Sequence, residues 1–116
     1  MWTIEKRFHF SASHILPGHK LCGRMHGHNW TATLMLESDV LDASGMVVDF
    51  CLLEGLMTPL LGMKLDHWHL NDTTGLEHPT CEKLAEWIFR DLAHSIPQLV
   101  AVRVSETSDG SAEYYK

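Results

Sequence analysis

The residues best suited to chemistry lie in one stretch, Cys22-Gly23-Arg24-Met25-His26-Gly27-His28, and at the earlier His14. This stretch places a thiol, a guanidinium group and two imidazoles close together in the chain. Because His26 and His28 open a predicted strand, both side chains project to the same side of it. Gly27 between them has no side chain, which would let another segment pass close by. His14 ends the preceding predicted strand, and antiparallel pairing would bring it alongside.

These histidines, His14, His26 and His28, form a candidate metal site. Three neutral histidines are the ligand set of a catalytic zinc, with a fourth position left open for water or substrate. An isolated His-x-His pair is more often two ordinary strand histidines, but the third histidine and the nearby thiol favour metal ligation. The chain also has nine histidines in 116 residues, and histidine is the commonest metal ligand. We therefore predict that the chain binds Zn²⁺.

The role of Cys22 is open between a fourth metal ligand, a nucleophile, a base and a buried apolar residue. The spacing Cys-x-x-x-His is compatible with ligation, which would make a closed structural site. Gly23 and Arg24 instead indicate a polar loop, where nearby positive charge would stabilise a thiolate. Cys51 and Cys81 fall within predicted helices and are expected to be inert.

Two further groups of ionisable residues lie next to predicted elements. In Asp66-His67, the carboxylate could hold the imidazole in one tautomer, as in acid–base sites. A solvated loop pair would give the same sequence. Glu106-Thr107 follows a predicted strand, and a carboxylate at a strand end could accept paired N–H donors from a heterocycle. An exposed turn glutamate is an equally good interpretation.

The hydrophobic pattern predicts an α+β fold in a single domain spanning 1–116. Alternating apolar residues predict four strands, at 2–13, 28–37, 99–104 and 112–115. Two helices are predicted between the second and third strands, with Asp49 and Thr80 as their N-caps. The intervening segment 65–76 is predicted to be a polar loop. Grouped strands and grouped helices are typical of an antiparallel sheet with helices on one face.

Composition argues against several classes of protein. No window approaches the roughly 18 uninterrupted apolar residues of a membrane span, and the first residues lack the layout of a signal peptide. A formal net charge of −6 argues against a nucleic-acid surface, although Lys20 and Arg24 concentrate positive charge beside the central motif. Three cysteines, an odd number, argue against a disulfide framework and indicate a cytoplasmic protein.

Motifs spread over nearly the whole chain resemble the 6-pyruvoyl-tetrahydropterin synthase family. In chain order they are the stretch from Cys22 to His28, Val48-Asp49-Phe50, Leu65-Asp66-His67 with Leu70-Asn71-Asp72, Gly75-Leu76-Glu77 with Pro79-Thr80 and Glu82, and Glu106-Thr107. The match is closest to the bacterial branch of the family, the 6-carboxy-tetrahydropterin synthases of the queuosine pathway. The short spacing between Cys22 and His26 suggests this branch.

The resemblance implies the T-fold, or tunnelling fold, a four-stranded antiparallel sheet with two helices between strands two and three. It implies that the three histidines bind Zn²⁺, that Cys22 is the proton-abstracting base, and that Asp66 and His67 complete a relay. It further implies that Glu106 anchors a pterin ring. Finally, it implies a homo-oligomer, typically a hexamer, with active sites shared between subunits.

The implied reaction converts 7,8-dihydroneopterin triphosphate to 6-carboxy-5,6,7,8-tetrahydropterin, acetaldehyde and triphosphate. Thr107 adjoins the proposed pterin anchor, and Lys20 and Arg24 are candidates for triphosphate contacts on charge alone. Two alternatives stay open. The same scaffold could form 6-pyruvoyl-tetrahydropterin, or the chain could be a non-catalytic metal-binding protein in which Cys22 joins the three histidines as a ligand.

Overall fold

A four-stranded antiparallel sheet, with its strands in sequence order across the sheet, is the framework of the computed structural model, which describes residues 1–116. The strands are β1 (Trp2–His14), β2 (His26–Ser38), β3 (Leu99–Ser105) and β4 (Ala112–Tyr115). Between β2 and β3 lie the helices α1 (Phe50–Leu60), α2 (Leu70–Thr74) and α3 (Cys81–Leu92). The predicted α+β order is therefore confirmed, with the short α2 added. None of the helices has both the length and the apolar character needed to cross a membrane.

The first two strands form a long antiparallel ladder that runs from the pair Trp2–Ser38 to the pair His14–His26. Alternation along β2 buries the apolar residues of one face, as predicted, because Trp30, Ala32, Leu34 and Leu36 are each 0% exposed. The strand begins at His26, as the projection of both histidines to one side required. The ladder therefore includes both histidines of the His-x-His motif.

The segment 65–76 is more ordered than the predicted loop. α1 continues into one π-helical turn, Leu61–Leu65, in which the Asp66 N–H donates to the Leu61 carbonyl at 2.7 Å. α2 follows and ends at Gly75, whose φ of 73° is left-handed. Elements of five residues are too short to show a hydrophobic period, so the sequence pattern could not predict them.

The two predicted N-caps are confirmed. The Asp49 carboxylate accepts a hydrogen bond from the Cys51 N–H at 2.8 Å, and the Thr80 hydroxyl accepts one from the Lys83 N–H at 3.1 Å. α3 buries an apolar stripe formed by Leu84, Ala85, Ile88, Phe89 and Leu92. Packing of this stripe against β3 and β4 fixes the start of α3 near the end of β1.

We expect Thr80→Ala to lower the free energy of unfolding by about 1 kcal/mol, because the Lys83 N–H loses its acceptor. Thr58→Ala is the matched control, since the Thr58 hydroxyl only donates to the Glu54 carbonyl within α1. That change should stay within about 0.5 kcal/mol. Urea unfolding followed by circular dichroism measures both variants, and equal losses would contradict a capping role for Thr80.

Candidate metal centre and adjoining clefts

Three histidines converge at the end of the β1–β2 ladder. His14 pairs directly with His26, and Ala12 pairs with His28, so the three imidazoles lie on one face of the sheet. One ring nitrogen of each histidine lies within 4.8 Å of those of the other two. All three Nε2 atoms are buried and have no hydrogen-bond partner. Buried polar atoms without partners are rare in native proteins, and three that converge fit the ligand set of a metal ion.

Backbone carbonyls orient two of these rings. The His14 Nδ1–H donates to the Pro79 carbonyl at 2.9 Å, and the His26 Nδ1–H donates to the Arg24 carbonyl at 2.7 Å. A proton held on Nδ1 leaves the lone pair on Nε2 free. This is the arrangement that supports metal-ligating histidines in proteins. The start of α3 and the β1–β2 loop therefore both position the candidate metal ligands.

Trp30 forms an aromatic wall behind the histidines. Its ring packs edge-on against His14 at a centroid distance of 4.9 Å and against His28 at 5.4 Å. Burial lowers the pKa of His14 below 6.5, and the neighbouring His26 and His28 act in the same direction, against the hydrogen bond to Pro79. His14 is therefore held in the neutral form, which is the form that ligates metals.

Glu106, in the turn after β3, directs its carboxylate towards the histidines. Its Oε2 lies 3.7 Å from His14 Nε2 and 3.5 Å from His28 Nε2, and both distances are too long for hydrogen bonds. Glu106 and Thr107 also line a cleft of about 230 Å³, together with Cys81 and Glu82. This cleft is therefore adjacent to the histidine cluster. Sequence reasoning selected Glu106 but did not foresee its contact with the histidines.

Cys22 lies on the loop between β1 and β2, outside the group of side chains close enough to share an ion. His19 organises this loop, because its Nδ1 accepts a hydrogen bond from the Cys22 N–H at 2.8 Å. Gly23 is needed there, since a Cβ atom would lie 2.5 Å from the His19 carbonyl oxygen. At Gly27, in contrast, a Cβ atom would lie 3.4 Å from the Ala12 carbonyl oxygen, an ordinary contact, so the close passage expected there is not found.

The remaining residues of the loop and the cleft differ in character. Lys20 and Arg24 are exposed and form none of the ion pairs of the chain, so both cations are free to meet an anion. Cys81 is half-buried beside Glu106. Burial, and then the charge of Glu106, raise the pKa of Cys81 to about 11. It therefore stays a neutral thiol near neutral pH, which agrees with its expected inertness.

Asp66 and His67 form the pair that the sequence suggested, anchored to the edge of β1. Asp66 Oδ1 accepts a hydrogen bond from the Ser11 N–H at 2.9 Å, while Oδ2 lies 3.0 Å from His67 Nδ1. The Ser11 N–H and the contact with His67 lower the pKa of Asp66, so the carboxylate stays charged and can orient the imidazole. His67 is the one non-glycine residue with a positive φ, 66°, and its side chain is 82% exposed.

This pair does not reach the histidine cluster. No hydrogen bond or ion pair joins Asp66 or His67 to the three histidines, to Cys22 or to Glu106. Asp66 lines a different cleft, shared with His9, Phe10, Ser11, Asn29 and Trp30. A single chain therefore presents two separate groups of the predicted site residues.

We expect the metal-free protein to bind one divalent ion per chain, and His28→Ala to weaken binding at least about tenfold. His9→Ala is the matched control, because His9 is a strand histidine that contacts Thr31 and not the cluster. Chelator competition with Zn²⁺ measures the affinity. Thermal unfolding gives a second readout, since an ion at about 100 times its Kd adds about 2.7 kcal/mol of stability. Unchanged affinity in His28→Ala would exclude these histidines as the ligands.

Comparison with known proteins identifies the family. The profile of the family described as 6-pyruvoyl tetrahydropterin synthase matches residues 3–116. A 6-carboxy-5,6,7,8-tetrahydropterin synthase of Synechocystis is 43% identical over 99% of this chain and 94% of that relative, and one of Bacillus subtilis is 31% identical over 97% and 84%. The structure of Caenorhabditis elegans 6-pyruvoyl tetrahydropterin synthase matches with a TM-score of 0.86 at 28% identity, covering 99% of this chain and 95% of that one, which confirms the predicted T-fold. The chain therefore belongs to the 6-pyruvoyl tetrahydropterin synthase family.

Proposed function

We propose that this protein is a zinc-dependent carbon–carbon lyase of queuosine (7-deazapurine) biosynthesis. Its reaction would convert 7,8-dihydroneopterin triphosphate to 6-carboxy-5,6,7,8-tetrahydropterin, acetaldehyde and triphosphate. The observation that carries the proposal is the cluster of three unpartnered Nε2 atoms beside a carboxylate-lined cleft. The relatives named 6-carboxy-5,6,7,8-tetrahydropterin synthase, at 43% and 31% identity, favour this product over a pyruvoyl product.

The histidine set supports zinc as the metal. Three imidazoles with no thiolate among the converging groups are a ligand set that catalytic zinc sites use, with a fourth position available. His14, His26 and His28 would hold the ion. When bound, zinc polarises side-chain oxygens of the substrate and acidifies the adjacent C–H bond.

Proton transfer would fall to two groups of side chains. Cys22 is proposed as the base that removes a proton from the substrate side chain, on a loop that His19 holds in place. The exposed Arg24 lies two residues from Cys22 on the same loop. His67, oriented by Asp66 at 3.0 Å, is proposed to donate or accept the proton on the other face.

The cleft beside the histidines suits the substrate ring, and the basic loop suits its phosphates. A carboxylate can accept two parallel N–H bonds from a heterocycle, and charge-assisted bonds of this kind are strong. Glu106 is proposed as that acceptor, with Thr107 beside it in the cleft. Lys20 and Arg24 have no acidic partner to displace, so they are proposed to contact the triphosphate.

We also propose a homo-oligomer, a hexamer as in the family, in which each site combines residues of different chains. The separation of Asp66 and His67 from the histidine cluster within one chain supports this sharing. The sheet also has two edge strands, β1 and β4, and such edges are suited to pairing with a neighbouring chain. On β1 the edge is covered by the segment 66–69 at Ser11 and Ser13, so pairing there would use the earlier part of the strand. The chain would act as a single domain in the cytoplasm, where its three free cysteines would stay reduced.

We expect zinc-loaded protein to convert 7,8-dihydroneopterin triphosphate to a carboxylated pterin and acetaldehyde, detected by mass spectrometry. Cys22→Ala should abolish turnover while zinc stays bound, because the base is lost and the ligands remain. Cys51→Ala, at an exposed cysteine of α1, is the matched control and should keep full activity. A pyruvoyl product would assign the chain to the other branch of the family, and absent turnover with weakened zinc binding in Cys22→Ala would indicate a metal-binding protein.

We expect a mixture of the inactive variants Cys22→Ala and His67→Ala to regain activity after the subunits are exchanged. If each site takes Cys22 from one chain and His67 from another, random mixing restores about one quarter of the sites. Native mass spectrometry verifies the exchange and gives the number of subunits. Exchanged but inactive oligomers would show that both residues act within one chain.

A further inference from the structure

The chemistry proposed above assigns no role to the contact between Glu106 and the histidines. There, the carboxylate anchors the substrate ring, yet Oε2 lies beside two candidate metal ligands. We propose that Glu106 is the fourth ligand of the metal when no substrate is bound, and that it leaves the metal to take the ring. The ligation rests on the proposed function only in taking the three histidines as the metal ligands, and the release from the metal rests also on the proposed role of Glu106 as the acceptor of the substrate ring.

The distances favour ligation over a hydrogen bond. Around a tetrahedral ion with bonds of about 2.0–2.1 Å, neighbouring ligand atoms lie about 3.3–3.4 Å apart. Glu106 Oε2 is 3.5 Å from His28 Nε2 and 3.7 Å from His14 Nε2. Neither nitrogen has a hydrogen-bond partner, and His14 is 0% exposed. The carboxylate therefore stands at a ligand–ligand separation from two buried nitrogens that nothing else satisfies.

Charge and the neighbouring residues point in the same direction. Three neutral imidazoles leave the full double charge of a divalent ion in a largely buried site, and a carboxylate ligand halves that charge. Cys22 and Glu106 both lie outside the group of three histidines whose ligand atoms are all within 4.8 Å of one another. Only Glu106 comes close to two of those nitrogens, at 3.7 Å from that of His14 and 3.5 Å from that of His28. Glu82 lines the same cleft but makes no contact with the histidines. Glu106 is therefore the anion placed to complete the coordination.

The two roles of Glu106 compete with one another. Accepting two parallel N–H bonds from a heterocycle engages both carboxylate oxygens, so the ring and the metal would compete for Oε2, and we propose that the ring takes it. The ligand position opposite the histidines would then open only when a ring with paired N–H donors is bound. This arrangement would restrict the activated metal site to substrates that can hold Glu106.

The test compares metal affinity and coordination in Glu106→Gln and Glu82→Gln. Each change removes one negative charge from the same cleft, but only the first removes the proposed ligand. In metal-free protein titrated with Co²⁺, we expect Glu106→Gln to bind at least about tenfold more weakly, the lower end of the cost of losing even an outer-shell partner. Its visible absorption should also change, because water or an amide replaces the carboxylate. Glu82→Gln should match the unmodified protein in both readouts.

Two results would overturn the inference. Unchanged Co²⁺ affinity and absorption in Glu106→Gln would show that the carboxylate is not a ligand. Equally weakened Co²⁺ binding in both variants would show that Glu106 acts only through its negative charge. A crystal structure of the unmodified, Zn²⁺-loaded and substrate-free protein decides the matter even if a variant misfolds, since Oε2 should lie within about 2.2 Å of the ion. Neither readout uses turnover, so absence of the lyase product would disprove the proposed function, and with it the release to the ring, without affecting the result for metal ligation.

Discussion

The register of the β1–β2 ladder is the constraint on which the rest of the site depends. Pairing His14 with His26 places His28 one step along the same face. A slip of one residue in β2 would send all of its side chains to the opposite face, so the histidines would separate. The same slip would expose Trp30 and Leu34, which are completely buried. Core packing thus selects the one register that also assembles the histidine cluster.

The second constraint is that the imidazoles of the cluster need backbone carbonyls as hydrogen-bond acceptors. An imidazole buried among other rings needs a defined tautomer, and the carbonyls of Pro79 and Arg24 provide it for two of them. Pro79 directly precedes the N-cap of α3, so the helix that covers the sheet also fixes His14. Stability and metal-site geometry are therefore carried by the same few contacts in this small protein.

The sequence predicted those features that depend on local pattern. Alternation identified the strands, and the spacing of His26 and His28 placed both rings on one face. The approach of Glu106 was not predictable in this way, because it depends on β3 pairing with β2 so that Ser105 lies opposite Thr31. The role of His19 was also missed. Its ring nitrogen accepts backbone hydrogen bonds from Leu21 and Cys22 that shape the loop, and no local pattern marks a histidine of this kind.

The backbone of His67 shows that folding and chemistry make different demands on one position. A left-handed conformation costs a residue with a Cβ atom about 1–2 kcal/mol, and glycine would adopt it freely. Burial does not offset this cost, because the His67 imidazole is exposed. The backbone N–H of His67 donates a hydrogen bond to the Ser11 carbonyl. A sequence-design method that scored only the stability of the isolated chain would therefore choose glycine at residue 67. Positions in T-fold proteins where such a method disfavours the natural residue are candidates for functional residues.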